Sequence, residues 1–159
     1  MQLEARVDIG ITRPQQEVFE AIIDPEKMSR YFISKASARP EPGKTVTWTW
    51  ADVGAEAPVR VLEVERDRRF AFIWGNSGQE SRVTIEIDED SPGVTAVTVT
   101  EGAWESDDAG IIRYGNQING WTHFLMCLKA SVEYGIDLRK DSVTRRHKVA
   151  IAAGPAAKH

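Results

Sequence analysis

The chain has one cysteine, Cys127, so no internal disulfide can form and a reducing compartment is the simplest setting. It has no excess of positive charge. Its formal net charge of −4 offers nucleic acid and anionic lipid no general attraction. No stretch approaches the roughly 18 consecutive apolar residues that a membrane span needs. The opening MQLEARVDIGI alternates polar and apolar residues and lacks the basic start and apolar run of a signal peptide. The location expected on these grounds is cytoplasmic. Glycine-rich phosphate loops are missing, and no two of the three histidines have metal-ligand spacing. Neither a metal nor another cofactor is expected.

What is present fits one domain. At 159 residues, with 42% hydrophobic and 28% charged side chains, the chain is long enough to bury a real core and too short for two comfortable ones. Leu3, Ala5, Val7, Ile9 and Ile11 alternate with polar residues as a first strand does. Thr12 is a plausible helix N-cap with Gln15 at capping-box spacing, and Val18, Phe19, Ile22 and Ile23 form the stripe of a first helix. Asp24-Pro25 restarts a short helical turn toward Tyr31 and Phe32.

From Pro40 to Trp104 the period becomes two. Val46, Trp48 and Trp50 share one strand face, and Phe70, Phe72 and Trp74 share another. Strands over 59–65 and 83–87 and a last one over 95–103 are separated by short turn sequences such as Asp90-Ser91-Pro92-Gly93, which favours an antiparallel meander. Ile111, Tyr114, Ile118, Trp121, Leu125, Leu128, Val132 and Ile136 then recur at steps of three and four. They predict one helix from Asp107 or Asp108 to about Leu138. Strands in a block followed by a long helix argue for an α+β fold in which a curved antiparallel β-sheet wraps around that C-terminal helix.

The opening helix in TRPQQEVFEAIIDPEKMSRYF, the strand pair RRFAFIWG and VTIEIDEDSPGVTAVTVTEGAW, and above all GWTHFLMCLKASVEYG resemble the heat-shock protein 90 ATPase activator-like family of the START-like, helix-grip superfamily. The resemblance runs from about Leu3 to Leu138. It implies a single START-like domain over 1–140, and residues 141–159, with Arg145, Arg146, His147 and Lys148, are expected to form a basic, loosely ordered tail. Two positions depart from the family pattern. Tyr31-Phe32 stands where tryptophan often precedes phenylalanine, and Glu101-Gly102 puts a carboxylate where a histidine is common. Members of the superfamily include lipid carriers, cyclases and co-chaperone domains, so the fold alone leaves function open. Eukaryotic activators pair this domain with a separate N-terminal one for which this chain has no room, which weighs against chaperone activation.

The function expected is non-catalytic binding of a hydrophobic or aromatic small molecule, or a lipid, in a cavity between the sheet and the C-terminal helix. Trp48, Trp50, Phe72, Trp74, Trp104, Trp121 and Leu125 are candidates to line it, by burial and stacking; ordinary core packing is the plainer reading, above all for Trp74 and Trp121. Glu101 shares the strand face of Val97 and Val99. If enclosed it could accept a hydrogen bond from a ligand or act as a base; the plainer expectation is that the strand has frayed there and the carboxylate reaches solvent. Tyr114 completes a polar pair with Glu101 in a cyclase-like alternative, and these two are the only catalytic candidates, both weak. Arg113 and Tyr114 lie near the start of the long helix, where they could meet an anionic ligand, although a surface arginine is the plainer expectation, and His123 is expected to be exposed on the outer helix face. A protein-interaction role is the other alternative. The chain is expected to be a monomer or a homodimer, the latter if Trp48 or Trp50 faces outward.

Overall fold

A computed structural model describes residues 1–144. Of the predicted tail over 141–159, residues 145–159, with the basic stretch from Arg145 to Lys148, lie outside the described residues. Ten elements follow the order strand, two helices, six strands, helix: β1 (Gln2–Ile11), α1 (Gln15–Ile23), α2 (Pro25–Met28), β2 (Lys35–Ala36), β3 (Thr45–Trp50), β4 (Ala55–Glu65), β5 (Arg69–Trp74), β6 (Ser81–Ser91), β7 (Val94–Glu105) and α3 (Asp108–Tyr134). All seven strands join one antiparallel sheet in the order β1-β7-β6-β5-β4-β3-β2. The consecutive strands form the expected meander, and β1 closes it beside β7. The two-residue β2, on the far edge of β3, has no period of its own to betray it.

Alternation sends Val46, Trp48 and Trp50 of β3, Phe70, Phe72 and Trp74 of β5, and Val97, Val99 and Glu101 of β7 into the interior. α3 crosses this face, packing most extensively along β1. Its two ends are tied to the sheet. At the start, Ser106 N–H donates to the Met1 carbonyl and the Asp107 side chain accepts from Gly110 N–H at 2.8 Å. Near the end, Lys129 donates to the Gly10 carbonyl, and Glu133 accepts from Thr12 N–H and from Lys129.

Four local expectations are corrected. α1 begins at Gln15 with Pro14 as its N-cap and no side-chain cap; the Gln15 amide instead bonds the carbonyls of Asp67 and Ile87, anchoring the helix to the sheet. α3 stops at Tyr134, where Gly135 adopts the left-handed conformation (φ 65°) that closes a helix C-terminus, so Ile136 and Leu138 lie beyond it. The buried stripe of α3 runs through Gly110, Gln117, Trp121, Phe124, Leu125 and Leu128, whereas Ile111 is 54% exposed. The regular three-and-four spacing of apolar residues extended the stripe past the part of the helix that the sheet covers. His123, expected to be exposed, is half-buried, with Nε2 3.0 Å from Ser142 Oγ, and Val143 is buried as well.

Candidate functional site

The space between sheet and helix is filled by rings. Trp48 packs edge-on to Phe72 with centroids 5.2 Å apart, Trp74 lies 5.3 Å from Trp121, and Phe32 meets Phe124 at 4.7 Å. Trp48, Trp50, Phe72, Trp74, Trp121 and Leu125 are all buried in this cluster. Trp48 and Trp50 both point inward, which removes the outward-facing indole as a reason for dimerisation.

A polar cluster interrupts this core, centred on Glu101, whose relative exposure is 0%. The strand has not frayed: β7 continues to Glu105, with Glu101 paired to Val83 on one side and Ala5 on the other. Each partner of the carboxylate follows from local geometry. Gln117 and Trp121, four residues apart, share a face of α3, and Gln117 Nε2 and Trp121 Nε1 each donate to Glu101 Oε1 at 2.7 Å. Trp74 and Ser81 sit directly opposite one another on β5 and β6 and donate to Oε2, the indole Nε1 at 3.1 Å and Ser81 Oγ at 2.5 Å. Four donors occupy the roughly four lone-pair positions that a carboxylate offers. Desolvation is thereby matched by hydrogen bonds, as a buried acidic group requires.

Above this cluster lies a cleft of about 600 Å³, bounded by the end of β7, the β5–β6 connection and the first turns of α3. Ala103, Trp104, Gln79, Ile112, Arg113 and Gln117 are among its walls. Gln117 therefore belongs to both places. Its nitrogen is committed to Glu101, and Glu101, as an acceptor, fixes which way the amide is turned. Trp104 is 9% exposed, and the Arg113 guanidinium carbon lies 5.5 Å from its ring centroid. Arg113 Nη2 also donates to the Gln79 carbonyl at 2.7 Å. Burial lowers the pKa of this guanidinium, and the charge of Glu101 opposes that shift. Arg113 is thus half-buried over an aromatic ring, not the surface arginine that its position near a helix start suggests.

Of the residues proposed from the sequence, Trp104 borders the cleft and Glu101 lies beneath it. Tyr114 is half-buried and is not among the four donors to Glu101. Sequence reasoning missed Gln117 and Ser81, and took Arg113 by default for a surface residue. Gln117 was detectable four residues before Trp121; Ser81 was detectable only once the β5–β6 register was known. Cys127 is fully buried, which pushes its thiol up to about 11. Among the described residues no group of three or more His, Cys, Asp or Glu is placed to hold a metal ion. No described helix is long and apolar enough to cross a membrane.

A curved seven-stranded antiparallel sheet gripping one long C-terminal helix is the helix-grip architecture. Residues 12–133 match the family described as Activator of Hsp90 ATPase homolog 1-like protein, and the chain belongs to that family. Among solved structures, SSP2350 from Staphylococcus saprophyticus is similar at 32% identity, with a TM-score of 0.76 over 86% of this chain and 96% of that one. DynU16, a putative protein in the dynemicin biosynthetic locus, is 25% identical with a TM-score of 0.74, over 83% of this chain and 48% of its own. The Aha1 dimer from Colwellia psychrerythraea shares the fold at 16% identity, with a TM-score of 0.72 over 84% of this chain and 98% of that one. No curated protein matches the chain.

Proposed function

We propose that this protein binds a hydrophobic or aromatic small molecule without turning it over, and that the Trp104 cleft, not the ring-filled core, receives it. The observation that carries this reading is the cleft of about 600 Å³ at the junction of β7 and α3. That volume falls within the range of roughly 300–1,000 Å³ usual for small-molecule sites, and its walls combine the apolar surface of Trp104, Ile112 and Ala103 with polar and charged groups such as Gln79, Glu80 and Arg113. A relative encoded in a biosynthetic locus is in keeping with a small-molecule ligand.

The cyclase-like alternative, with Glu101 and Tyr114 as its polar pair, gains nothing from the geometry. A general base needs a free lone pair within reach of substrate, and each Glu101 oxygen already accepts two hydrogen bonds below the cleft floor. Chaperone association rests on the family description alone.

The test is native mass spectrometry of the purified protein, followed by a thermal-shift screen with fatty acids, flavonoids and polyketide-like aromatics. A ligand that binds only the folded state raises the melting temperature by mass action. The expected result is a saturable shift with one chemical class, lost in Trp104→Ala. Shifts that survive Trp104→Ala, or none with any class, would refute this site.

A further inference from the structure

Beyond the left-handed Gly135 that ends α3, residues 137–143 return across the end of that helix as an irregular strap. Side chains hold it in place. Among the described residues, no hydrogen bond between main-chain groups joins residues 137–143 to the rest of the fold; the last such bond runs from Ile136 N–H to the Ala130 carbonyl. The Arg139 guanidinium clasps Asp52 in the β3–β4 connection, with Nε 3.0 Å from Oδ2 and Nη2 3.3 Å from Oδ1. Asp141 takes the left-handed conformation (φ 59°), and just beyond it Ser142 Oγ lies 3.0 Å from His123 Nε2 and Val143 is buried. Cys127, fully buried, stands next to this contact, its Sγ 3.9 Å from His123. Burial is the main cause of its raised pKa; Arg139 acts against that shift and Asp137 with it, so both strap residues stand near the sulfur. The packing here is incomplete. A hollow of about 300 Å³ is left between the strap and residues 29–34, and the Asp52 side chain is 41% exposed. Few main-chain ties and loose packing are what distinguish a segment that opens while the rest of a domain stays folded.

We infer that residues 137–143 form a latch, pinned by Arg139 on Asp52, that opens as a local unit and in doing so uncovers Cys127. The latch lies at the opposite end of α3 from the Trp104 cleft, so the inference is independent of that site. The pin sets the balance between closed and open forms. Two hydrogen bonds between charged groups favour closure, against the conformational freedom that the strap regains on release. Because the pair is partly exposed, added salt weakens it and favours the open form. Cys127 is the only cysteine of the chain, so thiol chemistry reports this opening and no other.

The experiment follows the reaction of the full chain with dithiobis(nitrobenzoate) at mildly alkaline pH, as urea is raised in small steps below the unfolding transition. Opening the latch exposes little surface, so the wild-type labelling rate should be nearly independent of urea at first. It should rise steeply only near the transition, where global unfolding takes over. Arg139→Met keeps the apolar stem but removes the pin, and should raise the urea-independent rate about tenfold, the size expected for a partly screened charged pair. Asp52→Asn should raise it in the same direction. Arg39→Met, which removes a similar two-bond pair with Glu20 on α1, should leave the urea-independent rate unchanged even where it lowers the unfolding midpoint. A rate that depends steeply on urea from the start means that Cys127 is reached only by global unfolding, and overturns the latch. So does a low-urea rate unchanged in both Arg139→Met and Asp52→Asn, or a wild-type thiol that reacts as fast as in the unfolded chain.

Discussion

Removing the carboxylate of Glu101 would strand four donors at once, two indole N–H groups, a hydroxyl and an amide. Each buried group left unpaired costs about 1–3 kcal/mol, so Glu101→Ala should destabilise the fold by at least ~3–5 kcal/mol in urea denaturation. Glu101→Gln keeps the shape but replaces one acceptor oxygen with a donor, and should cost less, about 1–3 kcal/mol. A stability unchanged in Glu101→Ala would contradict the buried cluster. Alternation along β7 is enough to place Glu101 inward with Val97 and Val99. What alternation cannot show is whether the strand persists to that point and who supplies the partners. Those come from the β5–β6 register and from the turn of α3 that carries Gln117, which are long-range facts. Cys127 illustrates the same limit. Its solitude in the sequence excluded a disulfide, but only its packing explains a thiol raised to about 11, and it should be alkylated far more slowly at neutral pH in the folded protein than in the unfolded chain.

Where α3 begins, the backbone leaves no room for a side chain at Gly110. A Cβ added to Gly110 would fall 1.7 Å from the backbone carbonyl oxygen of Glu105, a contact that no side-chain rotation relieves. Gly110→Ala should therefore push the first turn of α3 away from β7, reshape the Trp104 cleft and lower the melting temperature by several degrees, consistent with the usual 1–3 kcal/mol of an overpacked site. Gly115→Ala, which meets nothing within 4 Å, is the matched control and should be neutral or mildly stabilising. Equal behaviour of the two variants would contradict this account. At the other end of α3, burial acts to raise the pKa of Glu133, but hydrogen bonds from Lys129 and Thr12 outweigh it and hold the carboxyl at about 2 against an ordinary 4.5. A depressed folded pKa means a contribution present above pH 4.5 and lost as pH falls toward 2. The stability–pH profile of Glu133→Gln should accordingly be flatter than that of the wild type in that window. An unchanged slope there would sink the idea. The sequence made α1, α3 and most strands legible through their periods, and α2 through Asp24-Pro25. It overran the end of α3 because Ile136 and Leu138 continue the apolar spacing, although Gly135 ends the hydrogen-bonded turns.

On the scale of the whole molecule, the fold uses its aromatic side chains to close the space that a gripping sheet would otherwise leave. Trp48, Trp74 and Trp121 are linked through ring contacts from β3 across β5 to α3. An aromatic-rich sequence does not by itself distinguish rings that line a cavity from rings that fill it, because the composition is the same and only the packing differs. The binding site proposed here is consequently displaced to the rim, where β7 ends and α3 begins, and Trp104 is the one tryptophan that borders it. The measurement that tests this most directly is a titration of uncharged, aromatic N-phenylnaphthylamine followed by NMR of the indole N–H resonances, assigned by single Trp→Phe substitutions. The account predicts that the Trp104 signal moves saturably while those of Trp48 and Trp50 stay in place. Movement of Trp48 and Trp50 with Trp104 unperturbed would place the ligand in the core and contradict it.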